Sequence, residues 1–135
     1  MIVGKRALPA VSLATDPATI TGIARTWGFE HTFAVQLRAL ARPEDIAVGL
    51  SVDGRCTNVA LALRAAHERG LLTIALVGGD GGDVAAEGCV DHLLRSPVDD
   101  PEVVKEMHVT TYHVLWELTH VFLEQPGALA PASAS

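Results

Sequence analysis

The sequence predicts a single α/β domain built on a parallel sheet with helices packed against it, and three observations carry that prediction. Two apolar runs, DIAVGLS at 45–51 and LTIALVG at 72–78, are continuous rather than alternating, the pattern of parallel strands covered on both faces. Between them lies a helical stretch carrying Val59, Leu61, Leu63 and Ala66 that stops at Gly70, a residue suited to the left-handed position after a helix. The chain has 135 residues, 49% of them hydrophobic, enough for one core and one domain.

Taken in order, LPAVSLA at 8–14 reads as a first strand. Pro17 to Arg25 and Phe29 to Leu40 read as two helices broken at Gly28, and Pro43 marks the turn into the 45–51 strand. Thr57 or Asn58 is placed to cap the next helix. After the 72–78 strand, VDHLLRS at 90–96 gives a fourth apolar run. A long helix from about Pro101 to Leu123 follows, with Val104, Met107, Leu115, Leu118 and Phe122 available for burial. From Gln125 the Ala/Pro/Ser-rich QPGALAPASAS lacks periodicity, so 1–124 reads as the domain and 125–135 as a flexible tail. Right-handed crossovers bring the loops that follow the strands to one edge of the sheet, where α/β folds bind ligands.

Composition narrows the function. Sixteen acidic against ten basic residues give a net charge of −6, with no Lys/Arg run, which argues against a nucleic-acid or acidic-membrane surface. Cys56 and Cys89 form neither a metal-type spacing nor a disulfide framework, so a reduced, cytoplasmic setting is expected. The start MIVGKRALPAV is interrupted by Lys5 and Arg6 and does not read as a signal peptide, and no apolar run approaches the ~20 residues of a membrane span.

GLSVDGRCTNVALALRAAHERG, Gly49 to Gly70, is the most informative stretch: the end of a strand, a tight polar loop and a helix start, the arrangement that forms an anion cradle. Its side chains leave two readings open. Arg55 favours a phosphate if its guanidinium turns inward. Asp53 opposes one, or occupies the anion site itself, in a loop that keeps its shape through Gly54 and the Asn58 helix cap but has lost its ligand. Cys56 lies near the helix start, where a thiol can be activated, and reads as a buried, inert thiol. GGDGG at 78–82 reads as a turn whose glycines supply positive φ. On the last helix His113, Trp116, Glu117 and His120 share one face, either as a His/Glu metal pair or as a polar stripe at a subunit contact.

RALPAVSLATD, ARTWGFEHTFAVQLRALARPEDIAVGLSVDG, NVALALRAAHERGLLTIALVGGDGG and VVKEMHVTTYHVLWEL, in that order, resemble the sugar isomerase (SIS) domain family. Within it they resemble the phosphoheptose isomerases and the related initiator-associating proteins of bacterial replication. The resemblance implies a flavodoxin-like parallel sheet, a dimer or tetramer with sites between subunits, and isomerisation of sedoheptulose 7-phosphate, zinc-assisted in several members. It maps the family's Ser-Thr-Ser-Gly-Asn-Ser phosphate loop onto Ser51, Val52, Asp53, Gly54, Arg55 and Cys56, of which only Ser51 and Gly54 match. It also places His113 on the catalytic or zinc-binding His.

Departures accompany the match. Lys105 stands where the family has a metal-ligating Gln, and Arg25–Thr26 where isomerases have Asn-Asp. The family's two opening helices, first strand, Gly-Asn-Gly-Gly-Ser loop and catalytic Glu have no counterpart here, and that strand would lie between the runs at 8–14 and 45–51. The expectation is therefore a phosphosugar-binding chain that is an incomplete or degraded isomerase subunit. It would assemble with itself or with a chain supplying the missing half. The alternative is a non-catalytic regulatory or structural oligomerisation partner like the initiator-associating relatives.

Overall fold

The computed structural model describes residues 5–125, and its order of elements is that of an α/β layer. Helix α1 (Pro17–Trp27) leads through a single 3₁₀ turn at Phe29–His31 into α2 (Thr32–Leu40); β1 (Ile46–Ser51), α3 (Thr57–Glu68), β2 (Leu72–Gly78), the short α4 (Gly82–Ala86), β3 (His92–Ser96) and α5 (Pro101–Glu124) follow. The sheet is three-stranded, parallel and in chain order, β1–β2–β3, with Ile46 opposite Leu72 and Ile74 opposite His92. The expected flexible tail at 125–135 lies outside the described residues apart from Gln125. No helix among the described residues is long and apolar enough to cross a membrane.

Helix boundaries follow from local chemistry. Asp16 caps α1 by accepting from the amides of Ala18 and Thr19, with Pro17 at the first helical position. Asp100 and Pro101 repeat the device at α5. Helix α3 ends as its glycine predicts: Gly70 has φ +81°, its N–H donates to His67 O, and the Leu71 N–H donates to Ala66 O. Its start departs from expectation. Cys56, not Thr57 or Asn58, is the cap residue and makes no side-chain capping bond, because the Asn58 side chain turns onto its neighbour's amide at Val59. The expected Phe29–Leu40 helix begins with the 3₁₀ turn instead, since positive φ at Gly28 sets the entry angle.

One face of the sheet is covered. Gly49 of β1 lies against Val59 and Leu63, and Ala75 and Val77 of β2 join Ala60, Leu63, Val84 and Cys89 in the core beneath α3. The other face is covered only where α5 begins, with Val104 fully buried and its methyl groups set against Gly78. On that face Ile46, Val48 and Leu50 are 58%, 51% and 46% exposed. The expectation that the 45–51 strand is buried on both faces is thereby corrected. Strand β1 is an edge with a helix layer on one side only, so its residues alternate between half-buried and exposed.

The 8–14 run corrects a second expectation. It is not a strand, because a parallel strand needs a neighbour for its ladder and none pairs with it. The segment is a strap tied at two points. At one end His120 of α5 places its Nε2 2.9 Å from Arg6 O; at the other, Gln36 of α2 donates to Leu13 O at 3.1 Å, and Leu13 packs on Leu37, Ala66 and Leu71. Between these anchors Val11 is 80% exposed.

Helix α5 has nearly the expected length, but its buried residues are Val104, His108 and His120. Of the apolar positions assigned to burial only Val104 is covered. Met107 and Leu118 are exposed and Leu115 and Phe122 half-buried, because among the strands α5 packs on β2 and β3 and most of its surface has no layer over it among the described residues.

Candidate functional site

The loops after the three strands converge, as right-handed crossovers require. Between them lies a cavity of about 550 Å³, lined by Asp53 and Arg55 from the loop after β1, Gly79 and Asp80 from the loop after β2, and Asp99 and Pro101 at the start of α5. Beside these lining residues, two glycine-rich turns close against each other. Gly54, at φ +71°, leaves no room for a Cβ: one built there would lie 1.9 Å from Gly81 O. The Val84 N–H also donates to Gly54 O at 3.0 Å. The glycines of GGDGG therefore serve close approach between two loops as well as their own φ values of +57°, +83° and +49° at Gly79, Gly81 and Gly82.

Within the first loop the Ser51 hydroxyl accepts the Gly54 N–H at 3.0 Å, and Asp53 Oδ1 accepts the Arg55 N–H at 2.9 Å. The Asp53 carboxylate caps its own turn and does not sit on the start of α3, where the amides of Cys56, Thr57 and Asn58 have no acceptor among the described residues. The start of α3 therefore keeps backbone N–H groups without an acceptor among the described residues. Arg55 does not fold over the start of α3. Its Nη2 reaches Asp80 Oδ2 at 2.7 Å and its Nη1 donates to Asp53 O at 3.2 Å. The Asp80 carboxyl is held below the ordinary range first by the Arg55 hydrogen bond and next by the Gly82 amide, and the same pairing raises Arg55. Cys56 is exposed, which corrects the expectation of a buried thiol: as cap residue of α3 it faces the loop side and not the core.

The residues expected on α5 are not brought to this cavity. Pro101 lines it, whereas His113 lies twelve residues on, roughly 18 Å along a helix. His113 is exposed, its ring edge-on to Tyr112 with centroids 4.5 Å apart. His120 is almost wholly buried, with Nδ1 2.9 Å from Trp116 O and Nε2 2.9 Å from Arg6 O. Only an imidazolium donates to both carbonyls, and those two bonds raise the His120 pKa above its ordinary value. Beside it Lys5 pairs with Glu117 and lies 4.6 Å from the Trp116 ring centroid.

The metal reading of this face does not fit the side chains present. Both His120 nitrogens are engaged, Lys105 offers an ammonium paired with Glu102 at 3.0 Å, and no three His, Cys, Asp or Glu residues converge among the described residues.

Asp80 and Asp99 are cavity residues that the sequence reading did not single out. The available signal was Asp80 itself, the one side chain with charge in a run of glycines, where an aspartate turns back onto the local backbone; its Oδ1 accepts the Gly82 N–H at 3.0 Å.

No protein-family model matches the chain. Among characterised sequences it is 42% identical over 125 residues to the phosphoheptose isomerase of Nitratidesulfovibrio vulgaris, covering 92% of this chain and 59% of that protein. It is 45% identical over 114 residues to the phosphoheptose isomerase of Geotalea daltonii, covering 84% of this chain and 58% of the other. Among solved structures it resembles a phosphoheptose isomerase from Neisseria gonorrhoeae (TM-score 0.77, 40% identity, 80% of this chain and 60% of that one). One from Francisella tularensis gives a TM-score of 0.78 at 32% identity, with 83% and 59% covered. The chain thus spans about three-fifths of the length of the relatives it matches.

Proposed function

We propose that this chain, a homologue of the phosphoheptose isomerases over about three-fifths of their length, holds the phosphate end of a sugar phosphate and contributes that half of a site completed by a second polypeptide. The observation that carries the reading is the loop at 51–56. It keeps the turn of a phosphate cradle through Ser51 and Gly54, sets Asp53 and Arg55 in the lining of a cavity large enough for a sugar phosphate, and is followed in the chain by the Cys56, Thr57 and Asn58 amides, which have no acceptor among the described residues.

Aldose–ketose isomerisation moves a proton between adjacent carbons, which needs a base and an acid or electrophile within reach of the same substrate. The cavity supplies carboxylates at Asp53, Asp80 and Asp99, but Asp53 and Asp80 already accept hydrogen bonds from the loops, and His113 is too far along α5 to serve this cavity. His113 is the residue we assign to a second, shared site formed when another chain packs on α5. The apolar surface for such packing is present: Ile46, Val48 and Leu50 on β1 and Tyr112, Val114 and Trp116 on α5 are all more than a third exposed.

Titration calorimetry with sedoheptulose 7-phosphate tests the binding half, with inorganic phosphate as competitor. The chain is expected to bind weakly and to show no turnover alone, and Asp53→Ser is expected to tighten binding about tenfold by removing a carboxylate from the cavity wall. Robust turnover by the chain alone, abolished in His113→Ala, would overturn the reading.

A further inference from the structure

Resting on the assignment of the cavity to a phosphate, the geometry points to Asp80 as an internal competitor for that phosphate: it holds the guanidinium of Arg55 against the far wall and yields it when a phosphate enters. Three features of the pair support a latch over a structural tie.

The first is that the two loops need no ion pair to hold them together. Gly54 is packed against the Gly81 backbone and the Gly54 carbonyl takes the Val84 N–H, so the two loops are held to each other by main chain. The second is exposure. The Arg55 side chain is 55% exposed and that of Asp80 68%, so the pair is solvated and contributes little to folding. The third is geometry. Asp80 takes a single Nη2 hydrogen bond at 2.7 Å and is itself fixed by the Gly82 N–H, while Arg55 gives its Nη1 to a main-chain carbonyl at 3.2 Å. A phosphate offers the planar guanidinium two oxygens at once and greater charge, and both Arg55 and Asp80 line the cavity where it would enter. Arg55 needs only side-chain rotation to make the exchange. The carboxylate left behind keeps its Gly82 hydrogen bond.

The latch makes affinity for phosphate conditional. With Asp53 and Asp99 also in the lining, an unlatched Arg55 is the only side-chain cation lining the cavity among the described residues. Asp80→Asn is the diagnostic variant, because the amide oxygen retains the bond from Gly82 while the charge that retains Arg55 is gone.

Titration of inorganic phosphate against four full-length chains tests this. The expected results are about tenfold tighter binding in Asp80→Asn, at least tenfold weaker binding in Arg55→Gln, and a gain from Asp80→Asn of no more than about twofold when Arg55→Gln is already present. Thermal melts of Asp80→Asn should match the native chain, showing that the pair is not a structural tie. An equal gain from Asp80→Asn in both backgrounds would overturn the latch, since Asp80 would then act only as general negative charge. Unchanged affinity in Asp80→Asn would overturn it as well. If phosphate binds none of the four chains, the assignment of the cavity fails together with the latch, whereas binding without coupling between positions 55 and 80 removes the latch alone.

Discussion

Replacing glycines in the loops by alanine separates two sources of strain that the structure places at different residues. Gly70 has φ +81° and open space around the position a Cβ would take, so Gly70→Ala meets only backbone strain. A left-handed L-residue costs about 1–2 kcal/mol, offset by about 0.4–1 kcal/mol from the stiffer unfolded chain, leaving a loss of roughly 1 kcal/mol. Gly78 lies in a strand, with no positive φ, but its Cβ would lie 2.2 Å from Val52 O and 2.7 Å from a Val104 methyl. Gly78→Ala is therefore a collision without backbone strain, worth about 2–3 kcal/mol because a main-chain oxygen must move. Gly54 combines both, φ +71° with a Cβ 1.9 Å from Gly81 O, and Gly54→Ala should cost about 3–4 kcal/mol, roughly the sum of the other two. Urea denaturation of the three variants measures the series directly, with unchanged m-values showing that only stability moved. Gly54→Ala and Gly78→Ala should also weaken phosphate binding, the first by forcing apart the two loops that carry Asp53, Arg55 and Asp80 and the second by displacing Val52 in the cavity lining, whereas Gly70→Ala should not. A Gly54→Ala cost no greater than that of Gly70→Ala would refute the reasoning, since the Gly54–Gly81 approach would then not be tight.

Two further outcomes can be measured on the native chain. The surface formed by Ile46, Val48 and Leu50 is expected to drive association, so light scattering at micromolar concentration should show a species larger than the monomer and Val48→Lys should shift it downward; a native monomer would sink the idea. His120, with its pKa raised by the Trp116 and Arg6 carbonyls, stabilises the fold when protonated: that contribution is complete below about pH 6.5 and is lost as pH rises through the higher folded value. Melting curves from pH 6 to 9 should show this loss. His120→Gln should flatten it, and an equally steep loss in His120→Gln would show that His120 is not the titrating group; Lys5, Glu117 and Glu124 are the charged groups around the ring.

The parts of this fold that the sequence made legible are those decided locally. The 72–78 run is a buried strand because its covering layers are encoded within a few dozen residues on either side, and Gly70 ends α3 because only its backbone makes that turn cheaply. The 8–14 run has the same apolar composition yet forms no strand, since pairing depends on a neighbour and not on composition. Helix α5 shows the same limit. Its periodicity specified a helix, but which side chains are covered depended on how far the sheet extends beneath it, and the two buried imidazoles took places that apolar counting assigned to Met107 and Leu118. In the cavity, Asp53 and Arg55 were legible as a charge conflict in an anion loop. Their resolution was not, because Asp80 is brought beside Arg55 from 25 positions away by the contact between glycine turns.

The strap at residues 6–13 also has a kinetic side. Strands that pair in chain order each find their partner across a single helix, so β1, α3 and β2 can assemble from nearby segments with little loop entropy lost. The Arg6–His120 bond joins residues 114 positions apart and can close only after that assembly has brought α5 into place. A contact of such separation is expected to form after the barrier and outside the nucleus. Weakening it by raising the pH should therefore accelerate unfolding while leaving the rate of folding almost unchanged, so that the strap governs how long the native state persists and not how quickly it is reached.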